Sequence, residues 1–278
     1  MVEMLECRET TKPRQRQAAW IEGSKFGKIA FVASDKAEAL AARHRLVREY
    51  GEVDPQDADA IVALGGDGLL LRTLLRHLNG GPPVYGMNLG SVGFLMNAYH
   101  ETDLIGRLER AAVCTIHPLR MIAYDCRGTR HELYAINEMS LFRQSHQAGK
   151  LRITVDGKMR LDELVCDGAL VATPIGSTAY NLSVNGPVLP INAPLLALTP
   201  ISVFRPRRWR GAVLPNSARI KIDVLEADKR PMRAVGNHRE IENALEVSIS
   251  EAHEIDLRLM YDPPWPLGER ILSEQFSY

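Results

Sequence analysis

The stretch that decides the fold is AIVALGGDGLLLRTLL, residues 60–75. Its first five residues are continuously apolar, which is typical of a strand buried on both faces of a parallel sheet. Leu69–Leu75 has the composition of a helix. Gly65-Gly66-Asp67-Gly68 joins the two. The pattern predicts a strand, a tight glycine turn and a helix, the repeating unit of open α/β sheets.

The same alternation continues on both sides of this stretch. An apolar run at residues 28–33 predicts an earlier strand, followed by a helix over about 36–50 that Ser34 or Asp35 would cap. A third strand is predicted at residues 84–87. The apolar face of the predicted helix consists of Ala37, Leu40, Ala41, His44 and Val47.

The character of the chain changes near residue 119, where short runs with a period of two begin to dominate. These runs are 119–126, 131–143, 151–155, 168–173, 219–225, 245–250 and 255–260. We therefore predict a parallel α/β domain at 27–118 and a second, β-rich domain at 119–261. Residues 1–26 are expected to be a flexible extension, and the helix-like tail 262–278 is expected to return to the first domain.

Composition excludes several classes of protein. The chain has 278 residues, and its 34 Lys+Arg equal its 34 Asp+Glu, which argues against a global basic surface for nucleic acid. It has no 18-residue apolar stretch, so no membrane span is expected, and its start lacks the apolar region of a secretory signal. Four scattered cysteines without a CxxC pair fit neither a zinc site nor a disulfide framework. A cytoplasmic location is expected.

The glycine turn has two interpretations. At the carboxyl end of a parallel strand, glycines let the backbone approach a phosphate, and the following helix offers free N–H groups. Asp67 would then hold a divalent metal or accept a proton from an attacking hydroxyl. The alternative is a structural turn in which Asp67 caps the helix. The turn is not a Walker A loop, because no Gly-Lys-Ser/Thr follows it.

A second polar cluster lies in the β-rich half. Residues 167–183 read DGALVATPIGSTAYNLS, an apolar strand ending in Thr-Pro and followed by hydroxyls at a helical turn. These groups suit a ribose, an amide or a phosphate, and Tyr180 can stack on a ring. Asn137-Glu138 adds an amide and a carboxylate that fit a ribose diol. The alternatives are a capped helix with Tyr180 in the core, and a solvated turn at Asn137-Glu138.

Five motifs in this order resemble the NAD kinase family, in a bacterial, α-proteobacterial-like form, over about residue 27 to the C-terminus. They are Gly65–Gly68, Gly86–Leu95, Asn137-Glu138, Asp167-Gly168 with Thr173–Tyr180, and Leu198–Ile201. The first motif is shared with lipid kinases and phosphofructokinases, whereas the Thr-Pro-x-Gly-Ser-Thr-Ala-Tyr segment is far more specific. The resemblance implies an N-terminal domain of the NAD kinase/diacylglycerol kinase type.

The implied reaction is phosphoryl transfer from ATP to the 2′-hydroxyl of the adenosine ribose of NAD, giving NADP. The resemblance makes Asp67 the proton acceptor and Phe94 a neighbour of the adenine. Mg²⁺ would arrive with the nucleotide, and no protein metal site is expected. The implied substrate and nucleotide contacts are Gly65, Gly66, Asp67, Gly68, Arg72, Asn137, Glu138, Asp167, Thr178, Ala179, Tyr180, Asn181, Leu182 and Ser183.

Departures from the family pattern keep other functions open. Leu69 and Ile175 stand where many members carry a hydroxyl or amide side chain, and Asn237 stands where an Asp is usual. A non-catalytic dinucleotide-binding regulator is therefore an alternative, and a lipid kinase sharing the glycine turn is a weaker one. The resemblance also implies a homodimer or homotetramer. The donor range and the choice between NAD and NADH are left open.

Overall fold

The computed structural model describes residues 24–78, 80–90, 93–263, 267–274 and 276. Most of the expected flexible extension, residues 1–23, lies outside the described residues, as do Ser91 and Val92 of the second motif. Within the described chain, no helix is both long and apolar enough to span a membrane.

Sixteen strands and five helices make up the described chain. The strands are β1 (Ile29–Ala33), β2 (Ala60–Gly65), β3 (Val84–Asn88), β4 (Ala112–Ile116), β5 (Leu119–Asp125), β6 (Arg130–Ala135), β7 (Glu138–Arg143), β8 (Gly149–Val155), β9 (Lys158–Cys166), β10 (Gly168–Ala172), β11 (Leu195–Ile201), β12 (Ala212–Pro215), β13 (Ile220–Leu225), β14 (Met232–Gly236), β15 (Arg239–Glu251) and β16 (Leu257–Tyr261). The helices are α1 (Ala37–Tyr50), α2 (Asp67–Arg76), α3 (Leu104–Arg110), α4 (Tyr180–Ser183) and α5 (Leu267–Glu274).

The first sheet has the strand order β1-β2-β3-β16-β4. Its first four strands run parallel, and β4 is antiparallel to β16. The fully buried β2 matches the continuous apolar run that predicted it. Residues 255–260 were expected in the second domain, but β16 lies in the first sheet. Its apolar residues therefore pair with β3 rather than with the β-rich half.

The predicted apolar face of α1 was wrong in large part, since of its residues only Val47, with the flanking Leu46 and Tyr50 that the pattern also indicated, packs against the core. The residues that α1 buries are Ala39, Ala42 and Leu46, whereas Leu40 is 41% exposed. The N-cap is Lys36, and no side chain caps the helix, so Ser34 and Asp35 do not play the predicted role. Small alanines let α1 pack closely on the sheet, and periodicity alone did not distinguish the two possible faces.

The second sheet is antiparallel and has eleven strands. Its main path is β12-β11-β10-β7-β14-β15-β13-β8-β9, and β5 joins β15 to β6. The run 131–143 is two strands, β6 and β7, separated at Ile136-Asn137. The predicted class, a parallel α/β domain followed by a β-rich domain, is confirmed.

One apolar cluster joins the two sheets. Ile136 and Ile175 come from the β-rich half, and both are buried with Leu70 of α2, Leu95 and Ile271 of α5. In sequence, the glycine turn comes shortly before Leu70, Asn137-Glu138 directly follows Ile136, and Ile175 lies within the Thr-Pro segment. The shared core therefore brings the glycine turn and the Thr-Pro segment to one place.

Candidate active site

The glycine turn starts α2 at the carboxyl edge of the first sheet. Gly65 ends β2, Gly66 is the N-cap residue, and Asp67 and Gly68 belong to the first helical turn. Asp67 is therefore not the helix cap that the structural alternative required. A Cβ placed on Gly68 would have no atom within 4 Å, so the space above the turn is open. The first amides of α2 form a site suited to an anion.

The Asp67 carboxylate is held by the second glycine segment. Its Oδ2 accepts the N–H of Phe94 at 2.8 Å, and its Oδ1 accepts the N–H of Leu95 at 2.9 Å. Burial raises the pKa of Asp67 above its usual value, and these two N–H groups and the positive charge of Arg270 oppose that shift only in part. The carboxylate is thus fixed in orientation before any ligand is present.

Arg270 holds the other side of the same segment. Its Nη1 donates to the carbonyl oxygen of Phe94 at 2.9 Å and to that of Met96 at 2.7 Å. Sequence analysis did not single out this arginine. It lies more than 200 residues after the glycine turn, in a tail whose only sequence signal was its helical pattern.

Asn137 and Glu138 lie where β6 gives way to β7. Glu138 is the first residue of β7 and pairs with Ala172 at the end of β10. Asn137 Oδ1 and Glu138 Oε2 are both buried, and neither has a hydrogen-bond partner among the described residues. Burial raises the pKa of Glu138 to about 7. Unsatisfied buried acceptors are costly, so this pair is suited to a ligand that brings donors.

Thr173 and Gly176 fix the position of Asn137. The N–H of Thr173 donates to the Asn137 carbonyl at 2.9 Å, and its hydroxyl donates to the Ile136 carbonyl at 2.7 Å. A Cβ on Gly176 would lie only 2.0 Å from the Asn137 oxygen. The backbone approach between the Thr-Pro segment and Asn137 therefore requires glycine at position 176.

The segment from Thr178 to Ser183 divides into parts that face different surroundings. Thr178 and Ala179 line a cavity with Asp67. Tyr180 is 38% exposed and its ring lies 5.9 Å from that of Phe142, so it is not the core residue of the structural alternative. Leu182 is 37% exposed. Ser183 lines a separate cavity of about 270 Å³ whose wall includes Arg207, Trp209 and Arg210.

Asn181 is buried and its side chain is used within the chain. Its Nδ2 donates to the carbonyls of Ser177 and Pro187, and its Oδ1 accepts the Thr199 hydroxyl at 2.7 Å. Asn181 therefore holds the segment in place, and Thr199 accounts for the Leu-Thr-Pro-Ile motif. Asn181 is buried and its carbonyl accepts the N–H of Gly186 at 2.7 Å, so the ligand contact that the resemblance implied for it stays a prediction.

The cavity at Asp67 has a volume of about 250 Å³ and combines both halves of the molecule. It is lined by Asp67, Leu71, Phe94, Leu95, Asn137, Ile175, Thr178 and Ala179. Acceptors on two sides and apolar walls between them suit a ribose and its base better than a purely apolar ligand.

Of the predicted contacts, Asp67, Asn137, Thr178 and Ala179 line this cavity and the others do not, Arg72 and Asp167 among them. Arg72 is exposed on α2 and is not part of the cavity wall. Asp167 precedes β10, whose other end carries Ala172, so about 17 Å of extended strand separates it from the Glu138 pair. Its Oδ1 forms an ion pair with Arg143 at 2.6 Å. The roles of both residues stay predictions.

Two of the three departures from the family pattern have a structural explanation. Leu69 is half-buried and packs against the shared apolar cluster, and Ile175 is 5% exposed within it. Both side chains contribute packing to the cluster that joins the two halves. The first backbone amides of α2 are unaffected, because they do not depend on the side chain of residue 69.

The donor set around the cavity bears on magnesium. No group of three or more His, Cys, Asp or Glu side chains in the described ranges is arranged to hold a metal ion. Asp67 brings a single carboxylate beside the glycine turn. That set fits Mg²⁺ carried by nucleotide phosphates, since such an ion keeps most of its waters and uses one or two protein carboxylates.

The fold and the cavity are those of a two-domain, nucleotide-binding α/β protein. The model of the ATP-NAD kinase N-terminal domain matches residues 7–111, and that of the ATP-NAD kinase C-terminal domain matches residues 136–253. The chain belongs to the NAD kinase family. It is 56% identical to the NAD kinase of Caulobacter vibrioides over 90% of this chain and 96% of that protein. Against the NAD kinase of Rhizobium meliloti it is 55% identical, over 91% and 98%.

Two solved structures share the fold. An NAD kinase from Archaeoglobus fulgidus, crystallised with ATP, superposes with a TM-score of 0.71 at 23% identity, covering 90% of this chain and 99% of that one. The yeast NADH kinase, crystallised with NADH, gives a TM-score of 0.77 at 20% identity, covering 94% and 93%. Both superpositions cover at least 90% of this chain, so the shared fold includes the α/β half and the β-rich half.

Proposed function

We propose that this protein phosphorylates NAD at the 2′-hydroxyl of the adenosine ribose, with ATP as the donor and NADP and ADP as products. The oxygen of that hydroxyl forms a bond to the γ-phosphorus while the bond from this phosphorus to the β–γ bridging oxygen breaks. Asp67 takes the proton released by the hydroxyl. The relatives described above, which are named as NAD kinases, support the reaction.

The observation that carries the proposed mechanism is the position of Asp67. Its two oxygens accept N–H groups from Phe94 and Leu95, and the same side chain lines the cavity where a hydroxyl would lie. A loose phosphoryl-transfer transition state needs only late proton removal, so a carboxylate suffices as the base. Most of the rate enhancement would come from positioning.

The other contacts follow from the site. Asn137 and Glu138 would accept hydrogen bonds from the ribose hydroxyls and the adenine amino group, because their buried oxygens lack partners in the described chain. Thr178 and Ala179 would close the cavity over the dinucleotide. The amides at Gly66–Gly68 would bind phosphate, and Mg²⁺ bound to ATP would neutralise part of its charge.

Some finer features of the proposal rest on the family resemblance. The tail of the dinucleotide would reach Tyr180, Leu182 and Ser183. A homodimer or homotetramer and a cytoplasmic location are also proposed on that ground. Arg72 and Asp167 would contribute only to parts of a ligand that extend beyond the cavity.

The decisive experiment measures NADP formed from NAD, ATP and Mg²⁺ with an NADP-specific dehydrogenase. Asp67→Asn keeps the side-chain shape and removes the base, and we expect kcat to fall about 10²–10⁴-fold. Equal turnover by both proteins would retain the kinase and reject Asp67 as base. Binding of NAD without turnover, also with polyphosphate or NADH, would support the regulator instead.

A further inference from the structure

We infer that Arg270, in the C-terminal helix, is a positioning residue for the phosphoryl-transfer reaction: it fixes the backbone segment whose amides orient Asp67. The inference rests on the proposed role of Asp67. It assigns a part in the reaction to a tail that lies far from every site motif in the sequence.

The segment Phe94–Met96 is bound on two sides by different parts of the chain. On one side the N–H groups of Phe94 and Leu95 donate to the two oxygens of Asp67, at 2.8 and 2.9 Å. On the other side Arg270 Nη1 donates to the carbonyls of Phe94 and Met96, at 2.9 and 2.7 Å. Phe94 takes part on both sides, so its peptide groups link the guanidinium to the carboxylate.

This arrangement gives Arg270 an effect without direct contact. No ion pair between Arg270 and Asp67 within 4 Å occurs among the described residues. The guanidinium instead binds carbonyl oxygens, and hydrogen bonds in such a chain polarise one another. Arg270 is also the charged side chain with a resolved electrostatic effect on Asp67, and it lowers the pKa of that carboxyl.

Side chains and carbonyls of the segment are held separately. Leu95 and Met96 are buried in the shared apolar cluster, whereas the carbonyls of Phe94 and Met96 are bound by Arg270. Gly93 precedes the segment, and a Cβ at that position would lie 2.9 Å from atoms of Asn88 and Met96, so the entry to the segment is tightly folded. Arg270 itself is fixed by its neighbour Ile271, which is 1% exposed in the shared apolar cluster. The anchor is therefore rigid on the side of α5.

The test compares Arg270→Met and Arg270→Lys with a matched control, Arg258→Met. Arg258 lies on β16 and donates to the Gly81 carbonyl at 2.8 Å, before β3 and hence at the opposite edge of the sheet from the glycine turn. All variants are checked by thermal unfolding and by NAD binding without ATP. Steady-state kinetics of NADP formation are then measured from pH 5.5 to 9.

We expect Arg270→Met to lower kcat about 10–100-fold, because a displacement of about 1 Å at a reacting group has effects of this size. KM for NAD and for ATP should change by less than about threefold, since Asn137, Glu138 and the amides at Gly66–Gly68 do not contact Arg270. The acid limb of the pH–rate profile should move to higher pH, because the substitution removes the nearby positive charge that lowers the pKa of Asp67. Arg270→Lys should restore the position of this limb and part of kcat.

A double-mutant cycle with Asp67→Asn separates this inference from the proposed function. If Arg270 acts through Asp67, Arg270→Met should change the residual turnover of Asp67→Asn less than about twofold. A full additional loss in that background overturns the inference and leaves Asp67 as the base. Unchanged kcat in Arg270→Met, or a loss confined to KM or matched by Arg258→Met, also overturns it. Full activity of Asp67→Asn instead rejects the proposed role of Asp67, on which the inference rests.

Discussion

The two carboxylates near the cavity, Asp67 and Glu138, have different environments, although burial raises the pKa of both. Asp67 accepts two backbone N–H groups and lies near the positive charge of Arg270, which offset the effect of burial in part. Glu138 has a buried oxygen without a partner in the described chain, and burial raises its pKa to about 7. The same side-chain chemistry is thus prepared for two tasks.

In the proposed mechanism this difference separates chemistry from recognition. A base must be held in place before substrate arrives, and the N–H groups of Phe94 and Leu95 hold Asp67 in this way. A recognition group gains affinity if its acceptors are unsatisfied until the ligand supplies donors, and Glu138 meets that condition. Pairs of carboxylates with divergent environments commonly mark such divided roles.

Gly176→Ala is expected to have the largest effect on NAD binding by Asn137 and Glu138. The Cβ of the alanine would lie 2.0 Å from the backbone carbonyl oxygen of Asn137, so the Thr-Pro segment and the start of β7 must separate. We expect a loss of about 2–3 kcal/mol in unfolding free energy and a KM for NAD raised about tenfold or more. Gly268→Ala is the control, because its Cβ would make an ordinary 3.7 Å contact with Ile191 in a helix. Similar melting temperatures and KM values for both variants would contradict the prediction.

Glu138→Gln tests recognition by charge. We expect NAD affinity at pH 8 to fall about 10–100-fold, since hydrogen bonds to a charged acceptor contribute about 1.5–3 kcal/mol. In the wild type, the Kd for NAD measured calorimetrically without ATP should fall as pH rises from 6 to 8, because the ionised form accepts the ribose hydroxyls. The variant should lose this dependence. A wild-type Kd that is constant over this range would show that Glu138 does not bind NAD as a carboxylate.

The same substitution should stabilise the free protein. The folded-state pKa of Glu138, about 7, lies above the usual value of 4.5, so the protonated carboxyl favours folding below pH 4.5 and this advantage is lost as pH rises through 7. Glu138→Gln should therefore raise the melting temperature at pH 8 but not at pH 4.5, by an amount corresponding to about 3 kcal/mol.

An acidic residue with the opposite shift provides the control for this stability test. Arg130, Tyr134 and Arg120 lower the pKa of Glu132 to about 2. Its ionised form therefore favours folding, and Glu132→Gln should lower the melting temperature at pH 8. If both glutamine variants shifted the melting temperature in the same direction at pH 8, the contrast in environment would be refuted.

The smallest expected effect comes from Thr199→Val, which removes the hydroxyl that donates to Asn181 Oδ1 at 2.7 Å. The buried acceptor loses its partner, at a cost of about 1–2 kcal/mol in unfolding free energy. Because Asn181 holds the segment that follows Ala179, KM for NAD should rise about two- to fivefold with kcat unchanged. Thr154→Val, at a half-buried position on β8, should change neither quantity. A loss in kcat alone would assign Thr199 a different role.

The family and the fold class were predictable from sequence because their signals are local. The apolar strand β2, the glycine turn and the Thr-Pro segment each combine distinctive residue types over fewer than 20 positions. Both the family and the parallel α/β plus β-rich architecture are confirmed. The residue types at Asn137-Glu138 also indicated acceptors, although their lack of partners could be seen only in three dimensions.

The remaining features depend on contacts between distant parts of the chain. Arg270 binds the Phe94 segment across 176 residues, and no local pattern marks such a contact. The buried face of α1 depends on which small side chains fit the sheet. Leu69 and Ile175 looked like losses of polar function until their shared apolar contacts were visible.

The placement of β16 between β3 and β4 has a consequence for biosynthesis. A ribosome that has released the chain as far as Ile116 has delivered four of the five strands of the first sheet, but not the strand that separates the last two. That strand follows the whole β-rich domain in the chain. Completion of the first sheet therefore waits until the β-rich domain has been synthesised, and the Arg270 anchor emerges only after β16.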